Sequence, residues 1–261
     1  MAKISMQTAE EFLSVPRLQP YVAAMGVAGE DAVLALYQWA VELEGAFHAT
    51  LCVVEISSRN AIDRELRSWN SLPNSSGDTF TEEWTELGNT REALKTLLGP
   101  SIGTARHHAQ REIERKSPRN GQREPTHDDI VAQLTFGNLS SLFCAPGHAE
   151  ESEERENLRQ TLWDECLKNV FPDRGQPVER RICSDFNGRQ RIGRSLEALR
   201  RLRNRVAHHD CLLEVDIKKS VDSINSVLAK LDPELPRFAM EKSQLRRLRR
   251  EDPRRLNSVE P

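Results

Sequence analysis

The sequence holds only five cysteines, Cys52, Cys144, Cys166, Cys183 and Cys211, and no two of them form a C-x-x-C pair. That excludes a zinc framework and a disulfide scaffold, and it suits a reducing compartment. No apolar run reaches the ~20 residues that a membrane helix needs. The first residues lack a charged-then-apolar leader, so the chain reads as soluble and cytoplasmic, with no membrane partner. There is no G-x-x-x-x-G-K loop and no G-x-S-x-G elbow, which removes P-loop nucleotide hydrolysis and the common serine-hydrolase arrangement. Internal repeats are absent. Alternating strand patterns are scarce and helical periodicities are long, so the fold class is all-α.

What is present is charge, unevenly placed. Charged residues make up 30% of the chain and hydrophobic ones 38%, with a formal net charge of -3. The segment from Arg189 to Arg205 carries seven arginines against the single acid Glu197. A local field of that kind governs contact with a polyanion more than net charge does, so the mildly acidic balance does not exclude RNA.

Taken in order, the pattern predicts short helices between Thr8 and Met25, interrupted at Pro16 and Pro20, then a turn over Gly26–Gly29. A long helix follows from about Glu30 to Trp69. Two more are expected over Trp84–Leu98 and Ser101–Lys116, then a basic mobile loop from Ser117 to Pro125. Thr126 should cap a helix through Ile130, Leu134 and Leu139, with acids in its first turn. An acidic break over Ala145–Glu156 precedes a helix that stops at Pro172. The remaining core helices are expected at about 189–209 and across Cys211–Leu231. Residues 1–236 read as one helical domain. Residues 237–261 read as a basic tail, a short solvated helix and then disorder.

The chemistry concentrates in Leu199-Arg200-Arg201-Leu202-Arg203-Asn204-Arg205-Val206-Ala207-His208-His209-Asp210. Arg203 and His208, five apart, fall on roughly overlapping faces of one helix end. This pairs a permanent, planar cation with a group that exchanges protons near neutral pH, as phosphodiester cleavage requires. A basic finish is also ordinary helix-end chemistry. The register argues for more here. Ile192, Leu196, Leu199 and Val206 form an apolar stripe, and Arg203 fills its intervening slot, where an arginine needs a partner or a pocket. Arg200, Arg201 and Arg205 can stay in solvent and are expected to meet RNA phosphates.

The long early helix has a matching interruption. Continuing its stripe from Leu51 lands on Glu55 and Arg59, an expected internal ion pair, with Asn60 beside it. His107-His108 with Arg106, Arg111 and Arg115 reads as a solvated polar face. His127 before Asp128-Asp129 does not read as a metal site, since three adjacent residues cannot surround an ion.

Four pieces of the chain together resemble the Abi-like (abortive infection) proteins, a branch of the HEPN superfamily. They are Leu18-Gln19-Pro20-Tyr21 with Leu36-Tyr37-Gln38-Trp39, the run from Glu55 to Ile62, the run from Asp129 to Gly137, and the run from Leu202 to His209. They span about residues 14 to 231. The last is the most specific, fitting an Arg-Asn-x-x-x-His core. The resemblance implies a HEPN-like helical bundle with extra N- and C-terminal helices, dimerising so that two motifs form a composite RNA-cleaving site. It implies metal-independent chemistry with no cofactor, phage defence as the role, and a possible antitoxin or regulatory RNA partner. Carried onto this chain, His208 is the acid/base group, Arg203 holds phosphate and Asn204 orients them. Glu55, Arg59 and Asn60 are implied as support. His209 is either a second proton donor or a helix cap. Asp210 departs from the glutamate that often follows the two histidines.

Three readings remain distinct at this level. They are an endoribonuclease, an RNA-binding module that does not cut, and a dimeric regulatory domain whose Arg/His cluster builds an interface.

Overall fold

The computed structural model describes residues 4–74, 76–116, 123–145, 152–185 and 187–256. Among the described residues the chain is all-α, with no strand. Its contacts divide it into two compact units. The first comprises Met1–Val53, Arg201–Asn225 and Arg237–Pro261, and the second Val54–Arg200 and Ser226–Pro236.

The first unit opens with α1 (Met6–Leu13) and α2 (Val15–Met25). Ser5 Oγ accepts from the Thr8 amide and caps α1. The break between the two helices lies at Ser14, which is held at φ 69°, and neither proline makes it. Pro16 sits in the first turn of α2, where its missing N–H would have no intrahelical partner anyway. Pro20 is carried inside the helix. Gly26 stops α2 at φ 55°, a conformation that a Cβ would strain, and its amide bonds to the Val22 carbonyl at 3.0 Å.

The 42-residue α3 (Glu30–Ser71) is the longest element. Val33, Leu36, Ala40, Leu43, Phe47, Leu51 and Val54 are buried at steps of three and four, as an amphipathic stripe requires. After Val54 the stripe turns polar at Glu55, Ser58 and Arg59 before resuming at Ile62 and Leu66.

In the second unit, only the later part of the helix expected over Trp84–Leu98 is α-helical, and residues 84–91 are not. Trp84 lies fully buried in a loop, and α4 (Glu92–Lys116) begins only after a 3₁₀ turn over Leu87–Asn89. Side chains win over helix bonding here. Asn70 donates to the Thr81 and Asn89 carbonyls, Thr90 Oγ1 donates to the Trp84 and Glu86 carbonyls, and Trp84 Nε1 donates to Asp63. Beyond that loop α4 runs unbroken through Pro100, where a boundary between two helices was expected. A proline inside a helix leaves the carbonyl four residues earlier without its donor. That carbonyl belongs to Thr96, and Arg155 Nη1 fills the vacancy at 2.6 Å.

Thr126 caps α5 (His127–Gln133) through a reciprocal capping box with Asp129. The expected single helix through Leu139 is instead two. Leu134 ends the first, and a second capping box from Thr135 to Asn138 starts α6 (Phe136–Ser140). Residues 117–122 of the loop expected over Ser117–Pro125, and residues 146–151 of the acidic break, lie outside the described residues. α7 (Glu153–Glu165) already begins within the stretch expected to be broken, capped by Ser152. A 3₁₀ turn, Leu167–Val170, follows before Pro172.

α8 (Gly188–Ala207) is the motif helix, with Ile192, Leu196, Leu199, Leu202 and Val206 buried. Residues 211–216 are not helical, so α9 (Ile217–Leu231) is shorter than its sequence pattern. It is followed by α10 (Leu235–Glu241), α11 (Leu245–Arg250) and α12 (Pro253–Leu256).

The basic tail is docked within the first unit, where a solvated helix was expected. Leu245 and Leu248 are buried, and Trp39 Nε1 donates to the Leu248 carbonyl at 2.9 Å. Arg247 pairs with Glu42 at 3.1 Å, and Arg254 Nη1 donates to the Leu213 carbonyl at 2.8 Å. The expected disorder falls on 257–261, outside the described residues.

Candidate active site

Arg203, Asn204 and His208 stand on the last turn of α8 and just beyond it, all in the first unit. Arg203 and Asn204 are half-buried, whereas His208 is exposed. The placement follows from the stripe. Leu199, Leu202 and Val206 anchor the helix face, so Arg203 is drawn partly beneath the surface. The His208 amide still makes the helical bond to the Asn204 carbonyl at 2.9 Å. Its ring makes no hydrogen bond or ion pair among the described residues.

His209 stands on a different footing. Its φ is 54°, in the left-handed region, its amide bonds to the Val206 carbonyl, and the Asp210 amide bonds back to the Arg205 carbonyl. Those two bonds are a Schellman termination with histidine in the position usually given to glycine. The residue is then tied down twice more. Arg17 Nη1 donates to its carbonyl at 2.9 Å, and its Nδ1 meets Glu44 Oε2 at 3.1 Å. Glu44 is mostly buried and the His209 side chain 71% exposed, so the ring is held at one nitrogen and open at the other edge. The histidine therefore caps the helix, and that capping fixes where His208 lies.

Glu44 is a site-adjacent group outside every motif, and Tyr21, which lies in one, is a second to which motif reading assigned no role. Tyr21 is buried and packs edge-on against Tyr37 at 5.0 Å. Burial first, then Cys211 and Glu44, pushes its phenol well above the usual tyrosine range. Glu44 directly follows the buried Leu43 on α3. A carboxylate beside an apolar stripe was the available signal, but its partner lies 165 residues away.

Glu55, Arg59 and Asn60 belong to the second unit. Arg59 Nη2 pairs with Glu55 Oε1 at 3.2 Å, both side chains less than a fifth exposed, and also donates to the Leu134 carbonyl at 3.2 Å. The internal ion pair is thus present, and it ties α3 to the end of α5. Asn60 is exposed.

The arginines expected to meet RNA differ among themselves. Arg200 forms a two-point ion pair with Glu197, at 2.6 and 2.8 Å. The Arg205 guanidinium donates to the Cys211 carbonyl, bracing the turn after the motif. Arg201 is exposed. His127 is enclosed, its two ring nitrogens engaging Asp63 at 2.8 Å and Thr85 at 3.0 Å. No cluster of His, Cys, Asp and Glu suited to a metal ion occurs among the described residues.

Comparison with known proteins now bears on this geometry. The family model for Abi-like protein matches residues 25–214, which includes the whole of α3 and α8 and the site at the end of α8. The chain belongs to the Abi-like family. That membership points to a role in abortive infection. No curated protein and no solved structure matches the Abi-like chain. The match is narrower than the resemblance read from motifs. It omits Leu18-Gln19-Pro20-Tyr21 on α2 and everything after Glu214, including α9 and the docked tail. Among the described residues no helix is long and apolar enough to cross a membrane.

Proposed function

We propose that this Abi-like chain is a metal-independent endoribonuclease of HEPN type, acting in phage defence as a homodimer. The observation that carries the reading is a half-buried Arg203 five residues before an exposed His208, at a helix end fixed by His209. In the proposed reaction the RNA 2′-oxygen attacks the adjacent phosphorus in line, and its proton passes to His208. The bond from phosphorus to the 5′-oxygen breaks, and a second histidine, the partner's or His209, protonates that oxygen. Arg203 stabilises the charge growing on the non-bridging oxygens, and Asn204 orients the pair. The product carries a 2′,3′-cyclic phosphate, and DNA, lacking the 2′-hydroxyl, is inert. Arg201 supplies further phosphate contact, with Arg200 and Arg205 contributing positive field from their braced positions. Glu55, Arg59 and Asn60 serve as support. An antitoxin or regulatory RNA that keeps the enzyme silent belongs to the same proposal.

The test is incubation of the purified protein with labelled total RNA and transfer RNA in EDTA, beside His208→Ala and Arg203→Ala. Both variants are first matched to the parent in folding and oligomeric state. The parent is expected to cut and leave cyclic phosphate ends, with each variant slower by about 10²-fold or more. Inhibition by EDTA or cleavage of an all-deoxy strand overturns the mechanism. RNA retention that needs Arg203, without cutting, replaces the nuclease with a binding module.

A further inference from the structure

The C-terminal segment lies outside the span shared with the Abi-like family, yet its arginines fall into two distinct sets. Arg247 and Arg254 are bonded to carboxylates and a carbonyl, holding the segment in place. Arg246, Arg249 and Arg250 are exposed, share one face of α11 by their spacing, and make no ion pair among the described residues. Between that face and the start of α9 runs a groove of about 300 Å³. Its floor is aliphatic, made by Ile217, Val221 and Leu245, all buried. Its rim carries those three arginines, Lys218 and Asp222. Two acids lie nearby, Asp222 in the lining and Asp216, which the Lys219 amide first and Arg249 among others hold below the usual carboxylate range. Asp222 bonds Lys218 at 2.7 Å, and Asp216 accepts from the Lys219 amide at 3.0 Å. Arg246, Arg249 and Arg250 therefore gather positive charge beside an aliphatic floor, with Asp216 as the acid that feels Arg249.

We infer that the groove between α9 and α11 is a second RNA-binding site, holding the backbone of single-stranded RNA on Arg246, Arg249 and Arg250 while one base rests on the aliphatic floor. The inference rests on the proposed ribonuclease reading for the identity of its ligand. Four cations against the single acid Asp222 on the rim favour a polyanion, and arginine in three of the five rim positions favours phosphate, which its planar fork meets at two points. The volume, at the small end for binding pockets, suits a single base better than a packed helix. A floor without polar atoms reads no base edge, so the grip is tolerant of sequence. The groove also belongs to the unit that carries the motif, and α9 begins nine residues after His208.

The experiment uses the full chain with His208→Ala to prevent cutting, and a fluorescent oligouridylate as probe. Affinity is measured across a potassium chloride series for that protein and for R246S/R249S/R250S in the same background. Loss of three phosphate contacts should lower the slope of log affinity against log salt by about 2 and weaken binding about tenfold or more at moderate salt. Circular dichroism and melting temperature should not move, because the anchoring Arg247 and Arg254 are kept. Should the triple variant melt early, the three single Arg→Gln variants, each expected to lower the slope by about 0.7, give the same reading. An unchanged slope in a folded variant overturns the inference, and so does failure of the parent to bind the oligomer. An unchanged slope joined to lost binding of a polyglutamate peptide assigns the groove to an acidic protein and overturns it equally. The two proposals fail separately. A lowered slope in a protein that never cuts RNA keeps the groove and removes the nuclease, whereas cutting with an unchanged slope does the reverse.

Discussion

His208 and His209 are adjacent, but the backbone assigns them different work. His208 continues the hydrogen bonding of α8 and leaves its ring uncommitted among the described residues. His209 turns into the left-handed region at φ 54° and is fastened through its carbonyl and Nδ1. For a side chain with a Cβ that conformation costs about 1–2 kcal/mol, less for histidine than for a branched residue. Replacing His209 by glycine should therefore leave thermal stability equal or slightly raised, while His209→Val should lose about 1–2 kcal/mol in urea unfolding. Ribonuclease assays on the glycine variant add a second reading. Retained cutting limits His209 to capping, and lost cutting in a stable variant makes its ring a proton donor. The placement of Arg203 near the end of α8 was legible in sequence because periodicity sets local geometry, with His208 one residue past that end. Glu44 was not, since only the folded chain brings a residue of α3 to the end of α8.

Elements were legible where the apolar stripe was long enough to carry past a polar interruption, as along α3 and α8, and misread where single residues suggested a stop. Pro100 illustrates why. A proline predicts a break from the missing N–H and its clash, and α4 tolerates both because Arg155 supplies a donor from another helix. Arg155→Ala should cost about 1–3 kcal/mol, the range for a charge-assisted bond to a carbonyl left unpaired. Pro100→Ala in the same chain should return part of that loss by restoring the amide. A double-mutant cycle read by urea unfolding checks this, and strict additivity would refute the coupling. Gly188 opens the motif helix under a different constraint. An added Cβ there would lie 2.2 Å from the Ile182 carbonyl oxygen, which is backbone and cannot swing away. Gly188→Ala is expected to destabilise by about 1–3 kcal/mol, as overpacking does. Thermal melting should register the loss even if the motif residues themselves are untouched.

At the scale of the whole chain, stability should depend on pH through carboxylates held by arginine. The bond from Arg123, then the Thr126 amide, keeps the Asp129 carboxyl far below the usual carboxylate range. A carboxylate depressed on folding contributes stability that is present above about pH 4 and lost as pH falls toward the folded value. Asp129→Asn should thus lower the urea midpoint at pH 7 and flatten its decline between about pH 4 and pH 2. A parallel decline in variant and parent would count against it. Reactivity follows burial in the same way. Burial, with Glu65 nearby, pushes the Cys166 thiol up to about 12. Iodoacetamide at neutral pH should leave Cys166 unmodified until the protein is unfolded, as peptide mass mapping would show.

The all-α class and the family were legible because they depend on repeated local pattern. The docking of the tail was not, because Leu245 and Leu248 are two apolar residues in an arginine run, and only Trp39, Glu42 and Leu213 reveal what they face. That docking also orders events in time. The unit bearing Arg203 and His208 draws on α2, on the start of α3 and on residues as late as Arg254, whereas the other unit needs nothing after Pro236. On the ribosome, the second unit can close while synthesis continues. The motif-bearing unit cannot, since the partners of the Trp39 indole and the Glu42 carboxylate have not yet been made. A protein proposed to destroy RNA would on this account acquire its finished active-site framework only after the ribosome has read past the codon for Arg254, and the transcript being translated would be the first one spared.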